Sequence, residues 1–244
     1  MEFEERAADL FAGGLAAHGY QCGMLWGAAL AAGAQAYRLF GHGPQTETGA
    51  MIAAQRLVES FRARNKYTDC LEITDLDLQG KIQARQIAKF FIKGQPVSCI
   101  RMAAEYAPLA FSDINAALSE NRQAPSPPVS CSTMLAFNMG ASDIHTVMAA
   151  GLAGGIGLSG GACGALGTAL WIIEMNGVKE SAGKIDFIGP RALDAIDRFM
   201  KCTDYEFECS KIVGRRFEDI GDHAGYLHDG GCSKILKVLA TPGS

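Results

Sequence analysis

The sequence predicts an all-α protein, on three observations. Apolar residues recur at helical spacing: Met51, Ala54, Leu57 with Val58, and Phe61, and again Leu193, Ile196 and Phe199 with Met200 behind Pro190, a first-turn residue. Strand-like alternation is scarce, with Tyr67–Asp77 its best example. Of 244 residues, 48% are hydrophobic and only 20% charged, which suits a buried core and excludes a disordered chain. The same periodicity marks Glu4–Ala16, Cys22–Leu39, Lys81–Ile92, Val97–Tyr106, Asp143–Ala153, Ala162–Asn176 and Cys232–Leu239.

The chain contains its own repeat. Ala12-Gly13-Gly14 through Leu30 aligns without gaps onto Ala153-Gly154-Gly155 through Trp171 at an offset of 141, with Cys22 on Cys163 and Gly19 on Gly160. Cys70 and Cys99 follow Cys22 as Cys209 and Cys232 follow Cys163, and only the second set has an upstream member, Cys131. Three prolines in the run 122–128 stop any helix there. The expected organisation is a tandem of two homologous helical-bundle domains. The first, residues 1–121, is truncated at its N-terminus; the second, residues 129–244, is complete; 122–128 link them.

Charge and targeting signals narrow the class. A net charge of −4, with scattered lysines and arginines, gives no footprint for nucleic acid. The start, MEFEERAADLF, lacks the basic and apolar regions of an export signal, so a cytoplasmic setting with reduced cysteines is expected. Thr146–Ile173 is uncharged and long enough to cross a bilayer, but its glycines and unflanked ends argue against a span.

The eight cysteines carry the chemistry. None forms a C-x-x-C pair, which removes zinc-ribbon, thioredoxin and c-type haem signatures. Cys131, Cys163, Cys209 and Cys232 each sit at or near the start of a predicted helix, where backbone N–H groups favour thiolate. Four converging thiolates make a soft site suited to an iron–sulfur cluster or zinc. Cys22, Cys70 and Cys99 supply three ligands of four in the first copy, while Cys202 has no counterpart and reads as structural. Gly155–Gly160 satisfies G-x-G-x-x-G, but follows a helical segment and is not kept in the first copy, so dinucleotide binding is not expected. The glycines, Gly160, Gly161 and Gly164 among them, instead bring backbone N–H groups close to the sulfurs of a bound cofactor, or simply allow close helix packing. No Ser-His-Asp pattern, P-loop or H-E-x-x-H is evident.

Cys131, the run GGIGLSGGACGALGTA around Cys163, then Cys209 and Cys232 resemble the C_GCAxxG_C_C family of redox-active proteins, whose domain is related to split-Soret cytochromes. The resemblance covers Ser130–Leu239 fully and Ala12–Tyr106 in part; Ala162 precedes Cys163 and Gly164 follows it, departing from the letters of the family name. It implies a small helical domain whose cysteines bind an iron–sulfur cluster, [4Fe-4S] or [2Fe-2S], or act in thiol redox chemistry. The expected partners are an electron donor or acceptor protein or a small redox substrate, with a homodimer as a possible assembly. A metal-free dithiol protein and a structural zinc module are the alternatives.

Overall fold

The computed structural model describes residues 2–77, 88, 90–120, 130–180 and 188–241. Its helices, in order, are α1 (Glu2–Ala7, running on into a 3-10 turn at Ala8–Phe11), α2 (Gly23–Phe40), α3 (Pro44–Asn65), α4 (Cys70–Thr74), α5 (Gln95–Ser119), α6 (Cys131–Asn138), α7 (Asp143–Ala150), α8 (Gly164–Glu180), α9 (Pro190–Cys202), α10 (Cys209–Val213), α11 (Ile220–His228) and α12 (Ser233–Ala240). Among the described residues there is no strand, so the all-α expectation holds. Residues 122–128 and most of the helix expected at Lys81–Ile92 lie outside the described residues.

Two expectations change. Tyr67–Asp77 is not a strand: Asp69 makes a single isolated bridge to Gln21, and the next residues coil into α4. That short helix is closed by Thr74 Oγ1 donating to the Cys70 carbonyl and by Asp75 in the left-handed region. The helix expected at Val97–Tyr106 extends through Pro108 to Ser119. Proline inside a helix removes one hydrogen bond, yet α5 buries Tyr106, Ala110, Ile114, Ala117 and Leu118, and packing against α3 carries the helix past it.

The two halves of the chain share one core. α2 packs against α3 and α7, α3 against α5, α1 against α8, and α9 against α12. Trp26, Trp171, Phe11, Phe61 and Phe199 are its largest fully buried side chains. The α2–α7 crossing is close because glycine makes it so. A Cβ on Gly33 would fall 2.4 Å from the Met148 Cα, and one on Gly151 would fall 2.7 Å from the Ala29 carbonyl oxygen.

α1 is fastened to the second half by polar contacts. Trp171 Nε1 donates to the Glu4 carbonyl at 3.2 Å, and His145 Nε2 meets the Glu4 carboxylate at 3.0 Å. Burial alone would raise the Glu4 pKa, but the His145 and backbone hydrogen bonds outweigh it and bring the value down to about 2. A carboxyl group with a depressed folded-state pKa stabilises the fold above its unfolded pKa near 4.5, and that stability is lost as pH falls from there toward 2. Glu4→Gln should therefore cost on the order of 1–2 kcal/mol at pH 7 and much less at pH 3. Urea midpoints at the two pH values check this; an equal loss at both would show that the carboxylate charge is not responsible.

Candidate functional site

The glycine-rich loops fold in the same way in both halves. Gly13, Gly14, Leu15, Ala16 and Ala17 have φ of 72°, 79°, 59°, 52° and 62°; Gly154, Gly155, Ile156, Gly157 and Leu158 have 62°, 80°, 63°, 55° and 60°. Each run is a turn of left-handed helix, which costs non-glycine residues roughly 1–2 kcal/mol apiece. Hydrogen bonds close both turns: the N–H of Ala16 donates to the Leu10 carbonyl at 2.7 Å, and that of Gly157 to the Gly151 carbonyl at 2.9 Å. Neighbours hold the second turn as well, since a Cβ on Gly157 would lie 2.4 Å from the Gln55 nitrogen.

Each loop then delivers its cysteine against a second one. The bridge Gln21–Asp69 in the first half has its counterpart in Ala162–Glu208 in the second. Cys22 N–H donates to the Thr68 carbonyl at 2.8 Å and Cys70 N–H to the Tyr20 carbonyl at 2.7 Å; Cys163 N–H donates to Phe207 and Cys209 N–H to Gly161, both at 2.7 Å. Cys22 and Cys163 therefore stand just before α2 and α8, and Cys70 and Cys209 open α4 and α10.

In the second half four cysteines come within electrostatic reach of one another. Cys131, the first residue of α6, and Cys163 and Cys209 are buried; Cys232, the N-cap of α12, is half-buried, and all four are free thiols. Burial and then the charges of Cys163, Cys131 and Cys232 push the Cys209 thiol far up. Cys163 is driven up by burial and by Cys131 and Cys232, although the N–H groups of Leu166 and Ala165 at the start of α8 pull it back. Cys232 reaches about 12 through burial and Cys131, with the Tyr226 hydroxyl opposing the rise. Cys131 is the exception. Burial would raise it, but the charge and approach of His223, the Gly154 N–H and the Ser132 hydroxyl outweigh burial and hold it below the ordinary thiol value. His223 is 1% exposed and its Nδ1 has no hydrogen-bond partner.

In the first half three cysteines come within electrostatic reach of one another. Burial raises Cys22 to about 11, with the Met24 N–H opposing and Cys70 and Cys99 adding to the rise. Cys70 is raised by burial and by Cys99, and Cys99, near the start of α5, by burial. The expectation that helix starts would lower the thiols of the second set thus fails at Cys163, Cys209 and Cys232 and holds in direction only at Cys131. The N–H groups are there, but removing a thiolate from water costs more than they return.

Other residues singled out by the sequence fall into place around these pockets. The missing Cβ of Gly164 leaves room for the Leu152 carbonyl, that of Gly161 for the Gln21 side chain, and that of Gly160 for Ser210 and Arg216. The glycine N–H directed at a sulfur is Gly154, toward Cys131. Cys202 ends α9, half-buried. A Ser142–His145–Glu4 chain exists, but its Ser142–His145 link is a side-chain contact within the first turn of α7, where Ser142 is the N-cap residue and its hydroxyl caps no backbone N–H. Sequence reasoning missed three residues: His223, Tyr226 and Gln21. Gln21 joins the two loops, its Nε2 donating to the Gly155 carbonyl at 3.0 Å and its Oε1 accepting the Ala162 N–H at 2.8 Å. Tyr20 and His18 stack on Phe207, at 5.2 and 4.7 Å between ring centroids, beside that junction. The signal available for His223 and Tyr226 was their three-residue spacing on one helix, shortly before Cys232.

Thiolate sulfur and imidazole nitrogen are, by chemical type, donors suited to iron or zinc. Among the described residues, no group of three or more His, Cys, Asp or Glu side chains is already drawn together to hold a metal ion. No described helix is long and apolar enough to cross a membrane, Thr146–Ile173 included. No curated protein and no solved structure matches the chain. A family model does match, over residues 2–111, the half that carries Cys22, Cys70 and Cys99 and that the sequence marked as the shorter copy. The description of that model is "Putative redox-active protein (C_GCAxxG_C_C)", and residues 2–111, a little under half of the chain, are similar to that family.

Proposed function

We propose that the chain is a cytoplasmic redox protein that binds an iron–sulfur cluster through Cys131, Cys163, Cys209 and Cys232 and exchanges electrons with a protein partner or a small redox substrate. The observation that supports this most is that the charges of these four thiols, three buried and Cys232 half-buried, bear on one another although they come from four separate stretches of chain. Cys163, Cys209 and Cys232 stay protonated by themselves, because burial and each neighbouring negative charge raise the cost of the next. A cationic metal centre removes that penalty and lets them ionise together. A bound cluster would supply one-electron exchange; the chain's own part is to bury it, direct the Gly154, Ala165 and Leu166 N–H groups at its cysteine ligands, and so favour the reduced form.

Cys22, Cys70 and Cys99 are the counterpart, a second and smaller site in a duplicated chain. The matching left-handed turns, bridges and cysteine placements support the duplication. A metal-free dithiol reading has one observation in its favour: the lowered Cys131 beside raised Cys163 resembles an attacking thiol and its resolving partner.

Anaerobic purification with iron and sulfide assays tests the proposal. Iron with matching sulfide is expected, and Cys163→Ser should remove most of the visible absorbance. Colourless wild-type protein after reconstitution overturns the cluster. In that event, loss of two free thiols on mild oxidation points to dithiol chemistry, and unfolding by chelator points to structural zinc.

A further inference from the structure

Independently of any cofactor, we infer that the outer face of α5 is a dimerisation surface, on which a second copy of this chain lays its own α5 antiparallel. Val97, Ile100, Ala104, Ala107, Pro108 and Phe111 are all exposed. They fall in one stripe about 100° wide, the width of a helix face that packs against another element. Val97 and Ile100 are 71% exposed and Phe111 55%, so large apolar side chains form a continuous row rather than a scattered few. The opposite face of α5 is already used: Tyr106, Ala110 and Ile114 are buried, and the helix packs on α3 and α2. The second half shows what such a face takes. Aligning Cys99 with Cys232 sets Ile100, Ala104 and Ala107 on Ser233, Lys237 and Ala240. Those residues of α12 border a groove whose other wall is Met134 and Asn138 of α6, and α6 packs on α12. A helix therefore lies against this face in the second half, whereas the same positions of α5 are exposed.

The stripe is complementary to itself. Val97 and Phe111 stand seven residues either side of Ala104, and Ile100 and Pro108 stand four either side. A two-fold axis at Ala104, perpendicular to the helix, sets Val97 against Phe111 of the second copy and Ile100 against its Pro108. The small Ala104 then meets its own counterpart where the helices approach most closely. Such an isologous contact is the commonest way for identical chains to pair. The charges agree with it. Arg101 and Glu105 flank the stripe on one side, an exposed pair 3.9 Å apart. The axis brings both pairs to the same side of the contact, with Arg101 of each copy about 3 Å out of register with Glu105 of the other, within reach of a guanidinium. Opposite charges thus face each other across the axis, and the antiparallel helix dipoles add to them. The stripe is only about 21 Å long, so the dimer is expected to be weak, with a dissociation constant on the order of 10 µM.

The experiment is sedimentation velocity of the full chain over a range of concentrations, as wild type, Ala104→Arg, Arg101→Glu and Glu105→Arg. Wild type is expected to show a monomer–dimer equilibrium that moves with concentration. Ala104→Arg sets two like charges face to face at the axis and should weaken the dimer roughly a hundredfold. Arg101→Glu and Glu105→Arg should each weaken self-association about tenfold. An equimolar mixture of those two variants should dimerise as well as wild type, because each supplies the charge the other lacks. All three positions are exposed, so circular dichroism should match wild type; if Ala104→Arg fails to fold, the mixing experiment decides. Wild type that stays monomeric at about 1 mM overturns the inference and leaves the face to a helix of a different protein. A dimer that Ala104→Arg leaves intact also overturns it, by placing the contact elsewhere. Charge variants that do not recover on mixing overturn the two-fold pairing.

Discussion

Alanine in place of Gly164 is expected to destabilise the protein by about 3 kcal/mol or more, although alanine is intrinsically the better helix residue. The added Cβ would stand 1.8 Å from the Leu152 carbonyl oxygen and 2.5 Å from its carbon. Both atoms are backbone, held in the left-handed turn that follows, so no side chain can rotate away. To make room, the start of α8 must withdraw from the 151–158 loop, carrying Cys163 away from Cys131 and Cys209. The control is Gly27→Ala in α2, where a Cβ meets nothing within 4 Å and the change should stabilise by up to about 1 kcal/mol. Gly23, which aligns with Gly164, faces the Phe11 carbonyl oxygen at 2.8 Å. Gly23→Ala should therefore fall between the two. Urea unfolding followed by circular dichroism gives all three values; Gly164→Ala as stable as wild type would mean that the loop yields easily and does not fix the pocket.

How far the sequence could be read follows from the same residues. Helices were legible where periodicity set a buried face, as for Met51, Leu57 and Phe61 in α3 or Ile196 and Phe199 in α9. The cysteines at helix starts were legible too, since Cys131, Cys209, Cys22 and Cys163 open or directly precede helices. Leu15, Ala16 and Ala17 were not. Their composition asks for a right-handed helix, and the flanking Gly13, Gly14 and Gly19 together with local hydrogen bonds such as Ala16 N–H to Leu10 and Gly19 N–H to Gly13 turn them left-handed. Thiol acidity was also out of reach, because it depends on burial rather than on position along a helix, and burial reverses the expected direction at Cys163, Cys209 and Cys232. His223 looked like one histidine among five. Its significance arises only in the folded chain, where it is buried and lowers the Cys131 thiol, a relation that spacing alone does not encode.

Trp26→Ala is expected to cost roughly 3–5 kcal/mol and to loosen both cysteine pockets at once. The side chain is 0% exposed, stacks on Phe11 at 5.0 Å, and donates through Nε1 to the Gln21 carbonyl at 3.2 Å. Its ring also fills the space opposite Gly167, where a Cβ would come within 2.2 Å of ring carbon Cζ3. One indole thus bears on α8 of the second half, on the turn that follows α1, and on the residue preceding Cys22. Gln21 is itself tied to Gly155 and Ala162, so freeing it should loosen the loop that carries Cys163 as well as the one that carries Cys22. The expected result is a lower urea midpoint together with faster labelling of both Cys22 and Cys163 by a thiol reagent, read by peptide mass. Trp26→Phe keeps the stacking and loses the N–H bond, and should cost only about 1–2 kcal/mol. Labelling that accelerates at Cys22 while Cys163 stays protected in Trp26→Ala would mean that the two pockets are held independently, and that the Gln21 link does not couple them.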